Sequence, residues 1–150
     1  GVSKLSSERL LDEFKKLTTS SAFLKIFKDD VCLEIIKMIF PQLKNIDNFK
    51  KLNSHTQNNL SKVDFIFLLS LMIIDETDNS EYFLYKYNVS KKDEKRIKII
   101  NNFYKNKINS KTFSEGNMNK IFYYNGKQAV LDILNFRIIT TKKKKKFLLI

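Results

Sequence analysis

The segment LSKVDFIFLLSLMII, from Leu60 to Ile74, is the most apolar stretch of the chain and decides its fold. Its apolar part, residues 65–74, is interrupted only by Ser70. This part is shorter than the roughly 20 residues that a membrane-spanning helix requires. We therefore expect a buried helix at the centre of a packed domain. No segment alternates apolar and polar residues convincingly with period two. The sequence thus predicts an all-α protein, built as an array of about seven to eight short helices.

Amphipathic helices are predicted before this core segment, within residues 1–41. The third of them begins after Asp29 or Asp30 and is expected to stop before Pro41, because proline disfavours helical backbone in the residue that precedes it. The first helix presents an apolar stripe at helical spacing. That stripe consists of Leu10, Leu11, Phe14 and Leu17.

The rest of the chain divides into three parts. Residues 42–59 are polar and weakly periodic, which favours a loop with at most one short turn around Phe49 and Leu52. Residues 60–139 hold the core segment and the later helices, of which the last, KQAVLDILNFRII (residues 127–139), is apolar nearly all round and is expected to be buried. Residues 140–150 include five consecutive lysines, which repel one another, so this basic tail is expected to be flexible.

The composition is that of one folded domain. The chain has 150 residues, 43% of them hydrophobic, with only 3 Gly and 1 Pro, which is unlike a disordered segment. Cys32 is the only cysteine, so an intramolecular disulfide is excluded and a reducing, cytoplasmic compartment fits. We expect Cys32 to behave as a small buried hydrophobic residue.

A formal net charge of +12 indicates an anionic partner, nucleic acid before a membrane surface. A second explanation stays open, because the abundant residues Lys, Asn, Ile, Phe and Tyr all have A/T-rich codons, and a genome poor in G and C produces the same charge. The placement of the lysines favours phosphate contacts, which would make affinity fall with salt. The placed lysines are Lys91, Lys95, Lys98 and Lys105 on one predicted helix face, and Lys142, Lys143 and Lys144 in the tail.

Catalytic chemistry has few candidates. The single histidine, His55, has no nucleophile pattern around it and is interpreted as a solvated side chain. The acidic cluster of residues 75–78 contains ligands suited to Mg²⁺, although a solvated loop is the favoured interpretation. Tyr123 and Tyr124 could stack on bases, although packing is favoured. Neither standard glycine-rich phosphate loop occurs.

Four segments carry a family pattern in their order and spacing. They are SSERLLDEF (residues 6–14), SAFLKIFKDDVCLEIIKMIFPQL (21–43), YKYNVSKKDEKRIKIINNFY (85–104) and YYNGKQAVLDILNFRII (123–139). Together they resemble the C-terminal helices of bacterial tRNA nucleotidyltransferases, the CCA-adding enzymes, and of bacterial poly(A) polymerases. The likeness covers roughly Leu5 to Ile139.

The resemblance implies neck-like helices in residues 1–41, a helical body and tail, and an RNA-binding role on a tRNA-like acceptor arm. In that family the catalytic head uses Mg²⁺ with CTP or ATP, and its motifs do not occur here. We therefore expect a detached C-terminal part, with no cofactor of its own and no nucleotide addition alone, that works with a head domain, in cis or in another chain.

The resemblance also assigns residues. Glu8, Arg9 and Glu13 would support the nucleotide-reading helix of the head, and Arg137 would contact RNA backbone together with the lysines named above. Arg9 and Glu13 are four residues apart and can also pair within their helix.

Two alternatives remain open. The chain is a protein-interaction module, or a decayed or split-gene remnant, whose exposed first helix docks a protein or a second copy to form a homo-oligomer. In a weaker alternative, KKKKKFLLI (residues 142–150) anchors the protein peripherally to an anionic membrane without a stable membrane span.

Overall fold

A computed structural model describes the backbone of residues 2–20, 22–105 and 111–144, and the side chains of residues 7–20, 22–105 and 111–141. Over these residues the fold is all-α, which confirms the predicted class. The helices are, in order, α1 (Val2–Thr18), α2 (Phe23–Lys28), α3 (Asp30–Ile39), a 3-10 helix (Ile46–Lys51), α4 (Ser54–Leu60), α5 (Phe65–Ile73), α6 (Asn79–Tyr87), α7 (Lys91–Lys105), α8 (Glu115–Asn125) and α9 (Lys127–Lys144).

Helix α5 is the core of the fold, as predicted, but it is shorter than the apolar segment. It begins at Phe65 rather than Leu60, because the Asp64 side chain accepts a hydrogen bond from the Phe67 N–H (3.0 Å) and caps the helix there. All but one of its nine residues are buried. Each buried side chain of leucine size contributes about 1.5–3 kcal/mol to folding, so this helix holds the others in place.

The other helices cover α5 from several sides. Helices α6 and α7 pack against it, α9 packs against α7, and α1 packs against α6. Phe14 of α1 connects these elements through ring contacts with Phe40 (5.0 Å between centroids) and Phe65 (6.0 Å). Helices α8 and α9 contact each other as a hairpin, and Gly126 between them adopts a positive φ of 89°, which suits glycine. No helix in the described residues is long and apolar enough to cross a membrane.

The carbonyl groups at the C-terminal end of α5 are satisfied by distant side chains and backbone. The Asn79 amide donates to the Ile73 carbonyl (2.8 Å) and the Gln42 carbonyl (2.7 Å). Asn45 donates its backbone N–H to the Met72 carbonyl (3.0 Å) and its side-chain amide to the Ile74 carbonyl (2.6 Å). Because the last carbonyls of a helix have no partner within it, these bonds replace water at a buried helix end.

The prediction of a loop at residues 42–59 is wrong except near the expected short turn at Phe49 and Leu52, where the 3-10 helix lies. Ile46, Phe49 and Leu52 recur every third residue, the period of a 3-10 helix, and Ile46 and Phe49 are buried. Asn53 then caps α4 by accepting a hydrogen bond from the Thr56 N–H (2.8 Å). A search for the α-helical period alone misses both elements.

The prediction for α9 needs two corrections. Only one side of the helix, which includes Ile133 and Phe136, is buried, while Leu131, Leu134 and Ile138 are exposed. The helix also continues to Lys144, so the boundary of the basic tail at residue 140 is placed too early. Residues 145–150, with the apolar end of the predicted membrane anchor, lie outside the described part of the chain.

A partly buried ion network joins α5, α7 and α9. Arg96 of α7 donates from Nε and Nη2 to the Asp132 carboxylate (both 2.9 Å), and from Nη1 and Nη2 to Asp64 (2.6 and 3.2 Å). The Asp132 side chain is 3% exposed and that of Arg96 is 17% exposed. Burial disfavours the charged form, but the hydrogen bonds that Arg96 donates to both carboxylates outweigh it and raise the pKa of Arg96. Gln128 donates a further bond to Asp132 (2.9 Å).

Replacing Arg96 should destabilise the fold strongly. Arg96→Met keeps most of the volume but leaves Asp132 buried without its cation, so we expect a loss of about 3–5 kcal/mol in the free energy of unfolding, measured by urea denaturation. The exposed Arg9→Gln variant is the control and should change it by less than about 0.5 kcal/mol. A loss as small as that of the control would contradict a structural role for the network.

The Asp64 carboxylate should make stability depend on acid pH. Burial tends to raise its pKa, but hydrogen bonds from Arg96 and the Phe67 N–H lower it below the ordinary 3.8. The stabilisation is therefore complete above 3.8 and is lost as pH falls through the depressed value. Asp64→Asn keeps the helix cap without the charge. The urea midpoints of the unaltered protein and of Asp64→Asn should differ at neutral pH and converge in acid. A difference that stays constant with pH would contradict a stabilising role of the Asp64 charge.

Candidate nucleic-acid interface

A groove of about 860 Å³ lies between α6 and α7, with α1 at its edge. Its wall on the α6 side carries two tyrosines, a lysine and a glutamate, and its wall on the α7 side carries two lysines and a glutamate. The polar and aromatic lining residues are Ser7, Glu81, Tyr82, Tyr85, Lys86, Asn88, Lys91, Glu94, Lys98 and Asn102.

Helix α6 exposes two of its tyrosines to solvent because its opposite face packs into the core. Phe83 and Tyr87 are buried and their rings contact each other (4.4 Å). The helical period therefore turns Tyr82 and Tyr85, three residues apart, outward, and they are 56% and 87% exposed. Exposed rings at this spacing are the type of surface on which bases stack.

The predicted lysine stripe on α7 exists as a helix face, but most of it is paired with carboxylates. Glu94 forms ion pairs with Lys98 (2.7 Å) and Lys91 (3.6 Å), and these lysines, Lys98 first, lower the pKa of Glu94. Lys105 forms ion pairs with Glu81 (3.0 Å) and Asp78 (3.1 Å), which raise the pKa of Lys105. All these groups are solvent-accessible, so the pairs contribute little to stability.

The charge of the groove is therefore only weakly positive. Lys86, Lys91 and Lys98 line it together with Glu81 and Glu94, three cations against two anions. Lys95, the remaining residue of the predicted stripe, is exposed, and no ion pair of it is observed within the described residues. A track of many phosphates would require more unpaired cations than the groove contains.

Of the predicted neck-motif residues Glu8, Arg9 and Glu13, only Glu8 contacts a residue that lines the groove. Glu8 accepts a hydrogen bond from the Asn88 amide (2.6 Å), and Asn88 occupies the left-handed position (φ 50°) at the turn between α6 and α7. Glu13 pairs with Lys16 (3.1 Å) and not with Arg9, so the expected Arg9–Glu13 pair is not formed. Arg9 is exposed.

Arg137 does not line the groove. Its guanidinium lies over the Phe113 ring, 4.2 Å from the centroid, so Arg137 connects α9 to the segment before α8. Lys142, Lys143 and Lys144 belong to the last turn of α9, and their side chains lie outside the described part of the chain.

The packing interpretation of Tyr123 and Tyr124 is wrong, because they are 81% and 69% exposed on α8. Sequence reasoning, in turn, missed Tyr82 and Tyr85. The sequence signal for them was their three-residue spacing on the charged side of an amphipathic helix.

Cys32 was expected to be buried, and it is half-buried.

The remaining polar candidates have local partners. His55 is exposed on α4 and lies 3.3 Å from the Asn59 amide. Asp75 accepts hydrogen bonds from the N–H and hydroxyl of Thr77, and Asp78 pairs with Lys105. No group of three or more His, Cys, Asp or Glu suited to a metal ion is found among the described residues.

No protein-family model matches the chain, and neither the curated proteins nor the solved structures contain a match to it. The interpretation of the groove therefore depends on its own chemistry.

Removing a groove tyrosine should leave the fold intact. Tyr85→Ala deletes an exposed ring from α6, and we expect a change of less than about 0.5 kcal/mol in the free energy of unfolding. Phe83→Ala, two residues away on the buried face, should cost about 3–5 kcal/mol. Thermal or urea unfolding of both variants measures the contrast. A large loss in Tyr85→Ala would mean that the ring is structural.

Proposed function

We propose that this chain is an RNA-binding helical module and that RNA contacts the groove between α6 and α7. The observation that carries the proposal is the pair of exposed tyrosines, Tyr82 and Tyr85, beside the cationic side chains Lys86, Lys91 and Lys98. Aromatic rings beside a few cations bind unpaired nucleotides, because the rings stack on bases while the cations contact neighbouring phosphates.

The balance of charges favours an unpaired RNA segment over a duplex. A duplex is held mainly by its phosphates and by its shape, and a groove with three lysines and two glutamates supplies few free cations. Unpaired bases add about 1–3 kcal/mol for each ring on which they stack. The proposed ligand is therefore an RNA end whose last nucleotides are single-stranded.

The resemblance of the four segments to tRNA nucleotidyltransferases and poly(A) polymerases suggests what the bound RNA is used for. A helical region of the tRNA nucleotidyltransferase and poly(A) polymerase type would hold the RNA 3′ end for a catalytic head, which binds Mg²⁺ and CTP or ATP. The Glu8–Asn88 hydrogen bond supports this arrangement, since it fixes the motif-bearing helix α1 against the groove. We expect the isolated chain to add neither CMP nor AMP to RNA, and efficient addition would contradict the role.

Binding can be measured with a single fluorescent reporter. The chain has no tryptophan, so Tyr85→Trp introduces one fluorophore into the groove. We expect its emission to be quenched by a tRNA acceptor minihelix with unpaired 3′ nucleotides, and much less by the same minihelix with a blunt end. Stacking brings the base into contact with the indole ring, which is the reason for the quenching.

Two sets of variants separate stacking from charge. Tyr82→Ala should weaken binding by about 1–3 kcal/mol, whereas Tyr123→Ala on α8 is the matched control and should have no effect. Lys86→Gln removes a groove cation for which no ion pair is observed within the described residues, and it should reduce the salt dependence by about 0.7 in the log–log slope, the value expected for one single-strand phosphate contact. Equal binding to blunt and overhanging RNA, unchanged in Tyr82→Ala, would refute the proposed groove.

A protein-docking function is the second candidate, and helix α3 supports it. Val31, Ile35, Met38 and Ile39 recur at helical spacing on one side of this helix and are all exposed. Contiguous apolar surface of this kind marks interaction sites. Sedimentation of the protein and of Met38→Lys tests self-association through this face. A concentration-independent monomer in both would exclude the second-copy form of this candidate.

A further inference from the structure

A second cavity, of about 350 Å³, lies on another side of α7. It is bounded by the 3-10 helix, the end of α5, the end of α7 and the later half of α9. The lining residues on which the argument depends are Phe49, Leu71, Asp75, Glu76, Tyr104 and Phe136. The volume lies within the range of about 300–1,000 Å³ that is typical of small-molecule sites.

The walls of this cavity are mostly apolar and partly aromatic. Phe49, Leu71 and Phe136 are buried members of the core, and the Tyr104 and Phe136 rings lie 4.5 Å apart. A cavity with such walls takes up a hydrophobic ring or a short aliphatic body more readily than a hydrated ion. One helix thus contributes to both sites, with Lys98 in the groove and Tyr104 in the cavity.

Tyr104 brings a poorly satisfied hydroxyl to the wall of this cavity. Its oxygen is buried and makes no hydrogen bond of good geometry within the described residues, although the neighbouring Thr140 hydroxyl interacts with it and lowers its pKa. Burial raises the pKa of Tyr104 to about 12, against the opposite effects of Thr140 and Arg137, so the hydroxyl keeps its proton at neutral pH. Leaving a buried hydroxyl poorly paired is unfavourable, and a ligand acceptor could recover that loss.

The polar rim of the cavity is acidic. Glu76 is exposed, and no ion pair of its carboxylate is observed in the described part of the chain. Asp75 is already engaged by Thr77 and lies 3.8 Å from Lys44. Two carboxylates facing one lysine repel an anion and attract a cation, so the rim disfavours phosphates and carboxylates, in contrast to the proposed RNA groove.

We propose that this cavity binds a compact organic amine, with its apolar ring or chain between Phe49, Tyr104 and Phe136 and its protonated nitrogen at Glu76. A hydrogen-bond acceptor on the ligand would accept the Tyr104 proton in place of the weak interaction with Thr140. The site is independent of the proposed RNA groove, because the two share no lining residue.

Three probes of similar size and different charge test the proposal: benzylamine, benzyl alcohol and benzoate. Titration of the isotope-labelled protein, followed by amide chemical shifts, locates each probe. We expect benzylamine to bind in the low millimolar range or tighter, with shifts confined to residues 45–52, 74–76, 104 and 136–140. Benzyl alcohol should bind at least threefold more weakly, and benzoate should give no saturable shifts at this site.

Two conservative variants separate the charge from the hydroxyl. Glu76→Gln should weaken benzylamine about threefold to tenfold and leave benzyl alcohol unchanged. Tyr104→Phe should weaken benzyl alcohol, whose oxygen can accept the phenol proton. Tyr123→Ala, an exposed site on α8 outside both the cavity and the groove, is the control and should change neither probe. Thermal unfolding of every variant establishes that it is folded.

The proposal is overturned if benzylamine causes no saturable shifts at the cavity, or if benzoate binds as well as benzylamine. It is also overturned if Glu76→Gln binds benzylamine like the unaltered protein, because the rim charge would then have no role. RNA titrations of the same variants distinguish the two proposals, since a failure of the groove leaves amine binding unaffected.

Discussion

The rest of the structure depends on the ion network of Arg96 with Asp64 and Asp132. A guanidinium has a rigid fork of donors, and here it binds both carboxylates through two nitrogens each. The three side chains come from α7, from the cap of α5 and from α9, so the network fixes three helices relative to one another. The orientation of α7 about its own axis follows from this contact. That orientation places Lys98 in the groove and Tyr104 in the cavity, so both candidate sites depend on a residue that belongs to neither.

Asp64 has two structural tasks, which explains why the core helix is well defined. It caps the first turn of α5 and also accepts hydrogen bonds from Arg96. At the other end of α5, Asn45 and Asn79 satisfy the last carbonyls. An apolar helix gains most of its stability from burial, which is non-directional and does not fix the ends of the helix. Directional hydrogen bonds fix the residues at which the helix begins and ends. At its C-terminal end, those from Asn45 come from a residue remote in sequence.

The sequence predicts the parts of this structure that depend on local periodicity. The α-helical period identifies the all-α class and the core segment. The same geometry accommodates the pair of Glu94 with Lys98, four residues apart, which we did not predict. The other pairs could not be predicted, because Arg96 lies 32 and 36 residues from its carboxylates, and Lys105 lies 24 and 27 residues from its own. The groove and the cavity arise from tertiary contacts, and only a three-dimensional structure shows which lysines are already paired.

The distribution of charge limits what the net charge of +12 can mean. If the excess of lysine served a duplex-binding track, unpaired cations should concentrate on one surface, yet the predicted stripe is largely neutralised by Glu94, Glu81 and Asp78. Codon composition explains a diffuse excess without invoking any partner. An RNA function therefore depends on the exposed tyrosines, because stacking supplies affinity that weakly positive surroundings cannot. Under this proposal the lysines guide the approach of RNA and contact a few phosphates, while the rings of α6 select unpaired nucleotides.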